Sequence, residues 1–292
     1  MSLYHTTVDP DAPNDSHALM LELIGPAPRV LDVGCATGYL AEALRSRGST
    51  VSGIEFDPDA GRRALPFLEK LVVGDLDTLD LAQEFAPATF DVIVFGDVLE
   101  HLKDPLSALR RARSLLAPGG AVVISIPNVA HGSLRLALLQ GRWEYHDTGL
   151  LDRTHIRFFT RSTLLALLHD AGFVAVELRR TVVDPLGAEI RVDRDQLPAG
   201  AVEWLQGQPD ADTYQFVLRA VRDDDDGARD VLAAAARRDA RRVLELEHRL
   251  AEAGAERQDL ERRLQHVVGS RSYRALALPR RLYGRVRRAM ER

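Results

Sequence analysis

The chain has 292 residues, 46% hydrophobic and 28% charged, which suffices for a sizeable core in one large domain plus an appendage. Its formal net charge of −5 gives no general case for nucleic-acid binding, and its single cysteine, Cys35, excludes an internal disulfide and fits a reducing compartment. The longest uncharged stretch, Ser114 to Leu134, is interrupted by Pro118, Gly119, Gly120, Pro127 and Asn128, so it cannot be a continuous membrane-spanning helix; MSLYHTTVDP lacks the basic and apolar regions of a signal peptide, and a cytoplasmic location is expected.

In chain order, residues 1–27 read as an N-terminal cap segment. From Arg29 onward, short β-branched runs alternate with segments of helical period, the pattern of βαβ units and a mainly parallel sheet. The predicted strands are Arg29–Val33, Thr50–Glu55, Leu71–Gly74, Phe90–Phe95, Ala121–Ile126, Phe173–Leu178 and Tyr214–Val221. Helices are predicted over Tyr39–Arg47, Pro58–Leu65, Leu79–Phe85, Pro105–Leu116 and Arg161–Ala171. Asp104 with Pro105 opens the fourth of these, and Thr160 and Gly172 bracket the last. The acidic run at 223–227 reads as a linker closing a domain over 28–222.

The first strand runs into VLDVGCATGYL, where Gly34 and Gly38 let the backbone approach a ligand and Asp32 places an acid at the strand end. The spacing is GxxxG, not the GxGxxG of dinucleotide sites, and by itself it serves equally well as a tight strand-to-helix connection. Glu55 ends the second strand, where an acid can accept two ribose hydroxyls, and Asp75 follows the third. Three acids at the carboxyl ends of successive strands converge on one crevice, where open α/β sheets bind ligands.

VLDVGCATGYL, GIEFDPDA, VVGDLD, FDVIVFGDVLEHLKDP and LLAPGGAVVISIPN, in this order, resemble the successive motifs of class I S-adenosylmethionine-dependent methyltransferases over roughly residues 28–221. The resemblance implies a Rossmann-like seven-stranded, mainly parallel sheet with helices on both faces and an antiparallel final strand. It implies S-adenosyl-L-methionine as cofactor, with Asp32, Gly34 and Gly38 around the methionine part, Cys35 and Ala36 in the same turn, Glu55 and Phe56 at the ribose, and Asp75 and Leu76 at the adenine. Gly96 and Asp97 would border the methyl-transfer pocket. Ala36 departs from the middle glycine that many members carry.

A sulfonium methyl is already activated, so the protein must align the acceptor and, for a hydroxyl, take its proton. His101, at a helix start in DVLEHL, is one candidate base or else a packing residue. Residues 141–160, GRWEYHDTGLLDRTHIRFFT, form a variable lid in which Trp143, Tyr145, Arg153 and Arg157 suit stacking on, and hydrogen bonding to, a hydroxylated acceptor; a purely structural cover is the alternative. Its LDRTHIRFFT portion resembles a segment of methyltransferases from bacterial glycan and secondary-metabolite clusters. Asp152 and His155 are spaced i, i+3, so in a helical turn Asp152 would orient His155 as the base, narrowly the preferred one over His101 and the loop residue His131. No HExxH, CxxC or further acidic trio is present in the sequence pattern, so no metal is expected.

Past the linker, Leu232, Ala236, Asp239, Val243, Leu246, Leu250, Ala253, Arg257, Leu260, Leu264 and Val267 advance by alternating fours and threes. This predicts a coiled coil over 228–267 and a homo-oligomer through it, or a single helix folded back, since Asp239 and Arg257 interrupt the seam. Residues 268–292 interleave arginines with Tyr273, Leu276, Leu282 and Tyr283, which suits either an anionic membrane surface at the inner membrane face or a segment disordered without a partner. The expected activity is O-methylation of a sugar or glycan intermediate. The alternatives are O- or N-methylation of a small secondary metabolite or quinone-like acceptor, and a coiled-coil scaffold for a glycan-assembly complex.

Overall fold

The computed structural model describes residues 8–224 apart from residue 88, and beyond them residues 228, 233 and 260. Two compact units divide the chain, Met1–Leu232 and Ala233–Arg292. The predicted coiled coil over 228–267 and the basic tail over 268–292 lie outside the described residues, the three isolated positions apart.

Seven strands form one sheet in the order β3-β2-β1-β4-β5-β7-β6. They are β1 Arg29–Val33, β2 Thr50–Glu55, β3 Lys70–Val73, β4 Phe90–Gly96, β5 Leu116–Pro127, β6 Phe173–Val182 and β7 Thr213–Arg222. β1 to β5 pair in parallel, while β7 runs antiparallel between β5 and β6. The expected architecture is therefore present. The strands nearest the antiparallel edge exceed their predicted lengths: β5 begins at Leu116, because Phe90 pairs with Leu116 across a register shift, and β6 continues to Val182 along β7. Cross-strand pairing, invisible to local pattern, sets those ends.

The helices are α1 Ser16–Ile24, α2 Tyr39–Ser46, α3 Pro58–Ala64, α4 Leu81–Phe85, α5 Pro105–Leu115, α6 Gly132–Leu139, α7 Arg161–Asp170 and α8 Ala201–Gln206. Capping fixes their starts. Asp80 accepts from Ala82 N and Gln83 N, which starts α4 two residues later than predicted, and Asp104 accepts from Ser107 N ahead of Pro105. Helices α1, α6 and α8 were not predicted. His101 does not begin a helix: Leu99–His101 is a short 3₁₀ turn, and α5 waits for Asp104 and Pro105.

Alternation along the strands divides the core between the two faces of the sheet. Val30, Val51, Val92, Val94, Val123 and Val217 pack under α1 and α2 with Met20, Leu40 and Leu44. Leu31, Ile54, Ile93, Phe95 and Ile124 pack on the other side with Leu81, Leu109 and Leu168. Each such buried side chain contributes about 1.5–3 kcal/mol of transfer free energy, so the sheet rather than the loops supplies most of the stability. A separate small cluster, Leu134, Ala137, Leu150, Leu151 and Ile190, anchors the segment between α6 and α7.

At the β1 exit, Gly34 has φ +74, and a Cβ there would lie 2.6 Å from Val98 Cγ2. Gly34→Ala is therefore expected to lower stability by about 1–3 kcal/mol through strain and overpacking. A denaturant midpoint equal to that of the wild type would show that the turn relaxes freely.

Candidate active site

The three acids expected at the sheet crevice sit at the carboxyl ends of β1, β2 and β3, although β3 ends at Val73 and leaves Asp75 in the following turn. Asp32 is 3% exposed, and its Oδ2 has no hydrogen-bond partner among the described residues. Burial, reinforced by the nearby Glu55 charge, pushes its pKa up to about 7. A buried carboxyl with a vacant acceptor atom suits a cationic donor entering the turn.

Glu55 ties that turn together: Oε2 accepts from Ala36 N at 2.7 Å and Oε1 from Asp57 N at 2.9 Å. An ionised carboxylate has about four acceptor sites, so both oxygens can still receive hydroxyl donors. The same contact accounts for the departure at Ala36. Its φ of 46° costs a non-glycine residue roughly 1–2 kcal/mol, and the charge-assisted bond from its N–H to Glu55 offsets that cost. At Gly38, φ is +86 and a Cβ would stand 2.8 Å from Ala64 Cα, so the cradle admits only glycine without movement of α3. Cys35 is buried, and burial pushes its thiol pKa up, which removes it as a nucleophile. Phe56 is 72% exposed beside Glu55 and presents a ring for stacking. Leu76 is buried, and its carbonyl accepts from Arg111 Nη2. Asp75 Oδ1 accepts from Asp77 N.

At the end of β4, Gly96 lies against Met20 of α1, and Asp97, with φ 54°, accepts on Oδ1 from Ser125 Oγ and Gln215 Nε2. Desolvation raises the Asp97 pKa, opposed by His17 and those two hydrogen bonds. His17 of α1 packs edge-on against Tyr39 at 5.0 Å, so the N-terminal helix covers this end of the sheet. Neither contact is readable from the sequence.

The largest departure concerns the histidines. Residues 152–155 do form a turn, with His155 N donating to Asp152 O at 3.0 Å. Asp152 Oδ1, however, accepts from Thr154 N and Thr154 Oγ1, and it is the Leu150 carbonyl that lies 3.3 Å from His155 Nδ1. At His155 Nε2 stands Glu100, 4.0 Å away. The Leu150 carbonyl and Glu100 thus face the two ring nitrogens of His155, and the Asp152 charge acts on the same ring. Glu100 is 1% exposed, neither of its carboxyl oxygens has a hydrogen-bond partner among the described residues, and burial followed by the Asp97 charge raises its pKa well above the usual carboxylate range. The sequence reading missed this residue. The only available signal was an acid inside the DVLEHL motif, flanked by a leucine that packs into the core. His101 stacks edge-on against His155 at 4.8 Å. Burial and then the His101 charge pull the His155 pKa below its usual value, so the ring is neutral near pH 7.

Glu100, His101 and His155 place one potential ligand atom each within 4.8 Å of one another. Contiguous motifs do not show this grouping, because His155 reaches the Glu100–His101 turn only through the fold. His131, the third histidine considered, is fully buried and structural: Nδ1 meets Ser133 Oγ at 2.8 Å and Nε2 meets the Val183 carbonyl at 3.0 Å.

The expected acceptor-facing residues divide in two. Trp143, Phe158 and His155 form a run of edge-on contacts, 5.5 Å and then 6.4 Å between rings, with Tyr145 6.3 Å from Trp143 at the surface. Arg153 instead pairs with Asp147 at 2.7 Å, and Arg157 Nη2 donates to the Lys103 carbonyl at 2.6 Å, so both guanidinium groups brace the loop. A separate cleft of about 300 Å³, lined by Arg29, Thr50, Lys70 and Phe90, lies at the amino ends of the strands, away from every acid discussed above.

Residues 9–178 match a family model described as a methyltransferase domain. A ubiquinone biosynthesis O-methyltransferase of Burkholderia pseudomallei (strain 1710b) is 32% identical over 187 residues, covering 62% of this chain and 77% of that protein. One of the same name from Xanthomonas campestris pv. campestris (strain B100) is 39% identical over 166 residues, covering 55% and 68%. Among solved structures, a SAM dependent methyltransferase from Archaeoglobus fulgidus shares the fold with a TM-score of 0.50 and 17% identity, over 70% of this chain and 94% of that one. Matched across more than half its length, with the sheet order and the acid-lined crevice described above, the chain belongs to the methyltransferase-domain family and is a class I S-adenosylmethionine-dependent methyltransferase.

Proposed function

We propose that this enzyme O-methylates a small, hydroxylated, quinone-like aromatic acceptor. The observation that carries this reading is the neutral, buried His155 at the inner end of the Trp143–Phe158 aromatic run, beside Glu100. A planar acceptor has ring faces to meet along that run, and a hydroxyl at its end would meet a group able to take its proton. The relatives' name, ubiquinone biosynthesis O-methyltransferase, supports the same acceptor class over the sugar or glycan intermediate expected from the lid sequence.

In this reading Asp32 would hold the cofactor's amino group, Glu55 its ribose hydroxyls, and Asp75 with Phe56 its adenine. When bound, the cofactor supplies an activated sulfonium methyl. Gly96 and Asp97 would border that methyl, with Ser125 and Gln215 fixing the Asp97 carboxylate. The segment carrying Trp143 and Phe158 would flank the acceptor.

Radiolabelled S-adenosylmethionine offered with a panel of catechols and hydroquinones, and separately with nucleotide sugars and fractionated cell glycans, tests the proposal. Label is expected in the aromatic fraction. Label confined to sugars would return the acceptor to the glycan class.

A further inference from the structure

We propose that Glu189 is a positioning residue for methyl transfer, holding His155 through the Leu150 peptide in the tautomer that keeps the Nε2 lone pair for an incoming proton. The chain of contacts starts at the ring. His155 Nδ1 lies 3.3 Å from the Leu150 carbonyl. A carbonyl only accepts, so Nδ1 carries the hydrogen, and Nε2, on the side of Glu100, is the unprotonated nitrogen. The direction of the Leu150 carbonyl therefore selects the tautomer. Leu150 is held in turn by Glu189, whose Oε1 accepts from Leu150 N at 2.8 Å and from Tyr214 Oη at 2.9 Å. Burial and then the Glu189 charge push the Tyr214 pKa up, so the phenol remains a donor to that carboxylate.

The close approach is built into both segments. Gly149 has φ +92, and a Cβ there would run into Glu189 Oε1 and stand 3.1 Å from Tyr214 Oη. Glycine admits the carboxylate, and its backbone freedom also leaves the Leu150 peptide in need of an outside hold. Glu189 belongs to the connection from β6 to β7, and its neighbours anchor it. Ile190 packs with Leu150 and Leu151, and the Arg191 carbonyl accepts from Arg142 Nη1 at 3.0 Å. Nearer β6, the Val183 carbonyl meets His131 Nε2 at 3.0 Å. Packing and backbone bonds thus aim the carboxylate at the turn, although Glu189 itself is exposed. Its effect on turnover rests on the reading of His155 as proton acceptor; its effect on the ring does not.

The test uses the full-length protein with histidine labelled by nitrogen-15, the His155 resonances being identified by their loss in His155→Ala. At neutral pH the wild type should show His155 with a protonated Nδ1 and an unprotonated Nε2. Glu189→Ala should move the ring toward the opposite tautomer, and Glu189→Gln, which keeps an acceptor oxygen, should restore the wild-type signal. Tyr214→Phe, which leaves the Leu150 bond in place, should keep the wild-type tautomer. With an acceptor that takes the methyl label, Glu189→Ala should lower kcat about tenfold while cofactor affinity stays within about threefold, and Glu189→Gln should recover most of the loss. An unchanged His155 tautomer in Glu189→Ala overturns the proposal, whatever happens to the thermal midpoint, because a merely structural contribution would lower stability without moving the ring proton. A shifted tautomer with wild-type turnover would support the hold on the ring and remove His155 as proton acceptor, so the two readings fail separately.

Discussion

Asp32→Ala should weaken S-adenosylmethionine binding by about 1.5–3 kcal/mol, because it removes a charge-assisted acceptor from a site sealed from water. Glu55→Ala should cost a similar amount, with an added penalty for the Ala36 amide it leaves unpaired. Calorimetry on variants shown to be folded decides this, and unchanged affinity in both would remove these acids from the cofactor site. The pH dependence gives an independent check. Asp32 is raised from 3.8 to about 7 in the folded protein, so its protonated form favours folding. The stability this contributes is fully present below pH 3.8 and is lost as pH rises through 7. Cofactor binding runs the other way, since a cationic amine pairs with the ionised carboxylate. Affinity should therefore fall as pH drops below 7, approaching about tenfold per pH unit, and Asp32→Asn should flatten that limb. An unaltered pH profile in Asp32→Asn would place the titrating group elsewhere.

His155→Ala should leave cofactor affinity within about threefold and lower turnover by roughly 100-fold or more, the scale of a lost proton acceptor. Glu100→Gln should lower turnover comparably, because it alters the group facing His155 Nε2. Asp152→Ala should cost less, since its Oδ1 serves Thr154. If Asp152→Ala matches His155→Ala, the orienting role belongs to Asp152 after all. If His101→Ala alone produces the large loss, the proton acceptor is His101. Burial lowers the His155 pKa, so the ring loses its proton below the usual pH 6.5, and turnover should already be on its plateau at neutrality.

The sequence by itself determined the sheet and its acid-lined edge. Strand alternation, the capping residues Asp104 and Thr160, and the turn around Gly34 and Gly38 act through neighbours in the chain, and the parallel strands then carry Asp32 and Glu55 to one edge whatever the loops do. A left-handed Ala36 is tolerated for a reason only the structure supplies, the bond from its N–H to Glu55. What tertiary structure alone decided is the second half of the site. Glu100 is a buried acid whose carboxyl oxygens have no hydrogen-bond partner among the described residues, because residues 156 and 157 hydrogen-bond its carbonyl and lay His155 over it, a contact between segments more than fifty residues apart. The spacing of Asp152 and His155 fixed a turn, whereas the bond from Thr154 Oγ1 to the carboxylate and the Leu150 carbonyl facing the ring depend on how that turn folds. Likewise α1 covers the end of β4 with Met20 and His17 because the sheet face there is apolar and needs a partner, and the helix supplying it lies far from that strand in the chain. Periodicity records which residues are apolar. Which surface each one finds depends on the closure of the whole sheet, and the partners of Glu100 and His155 depend on that closure too.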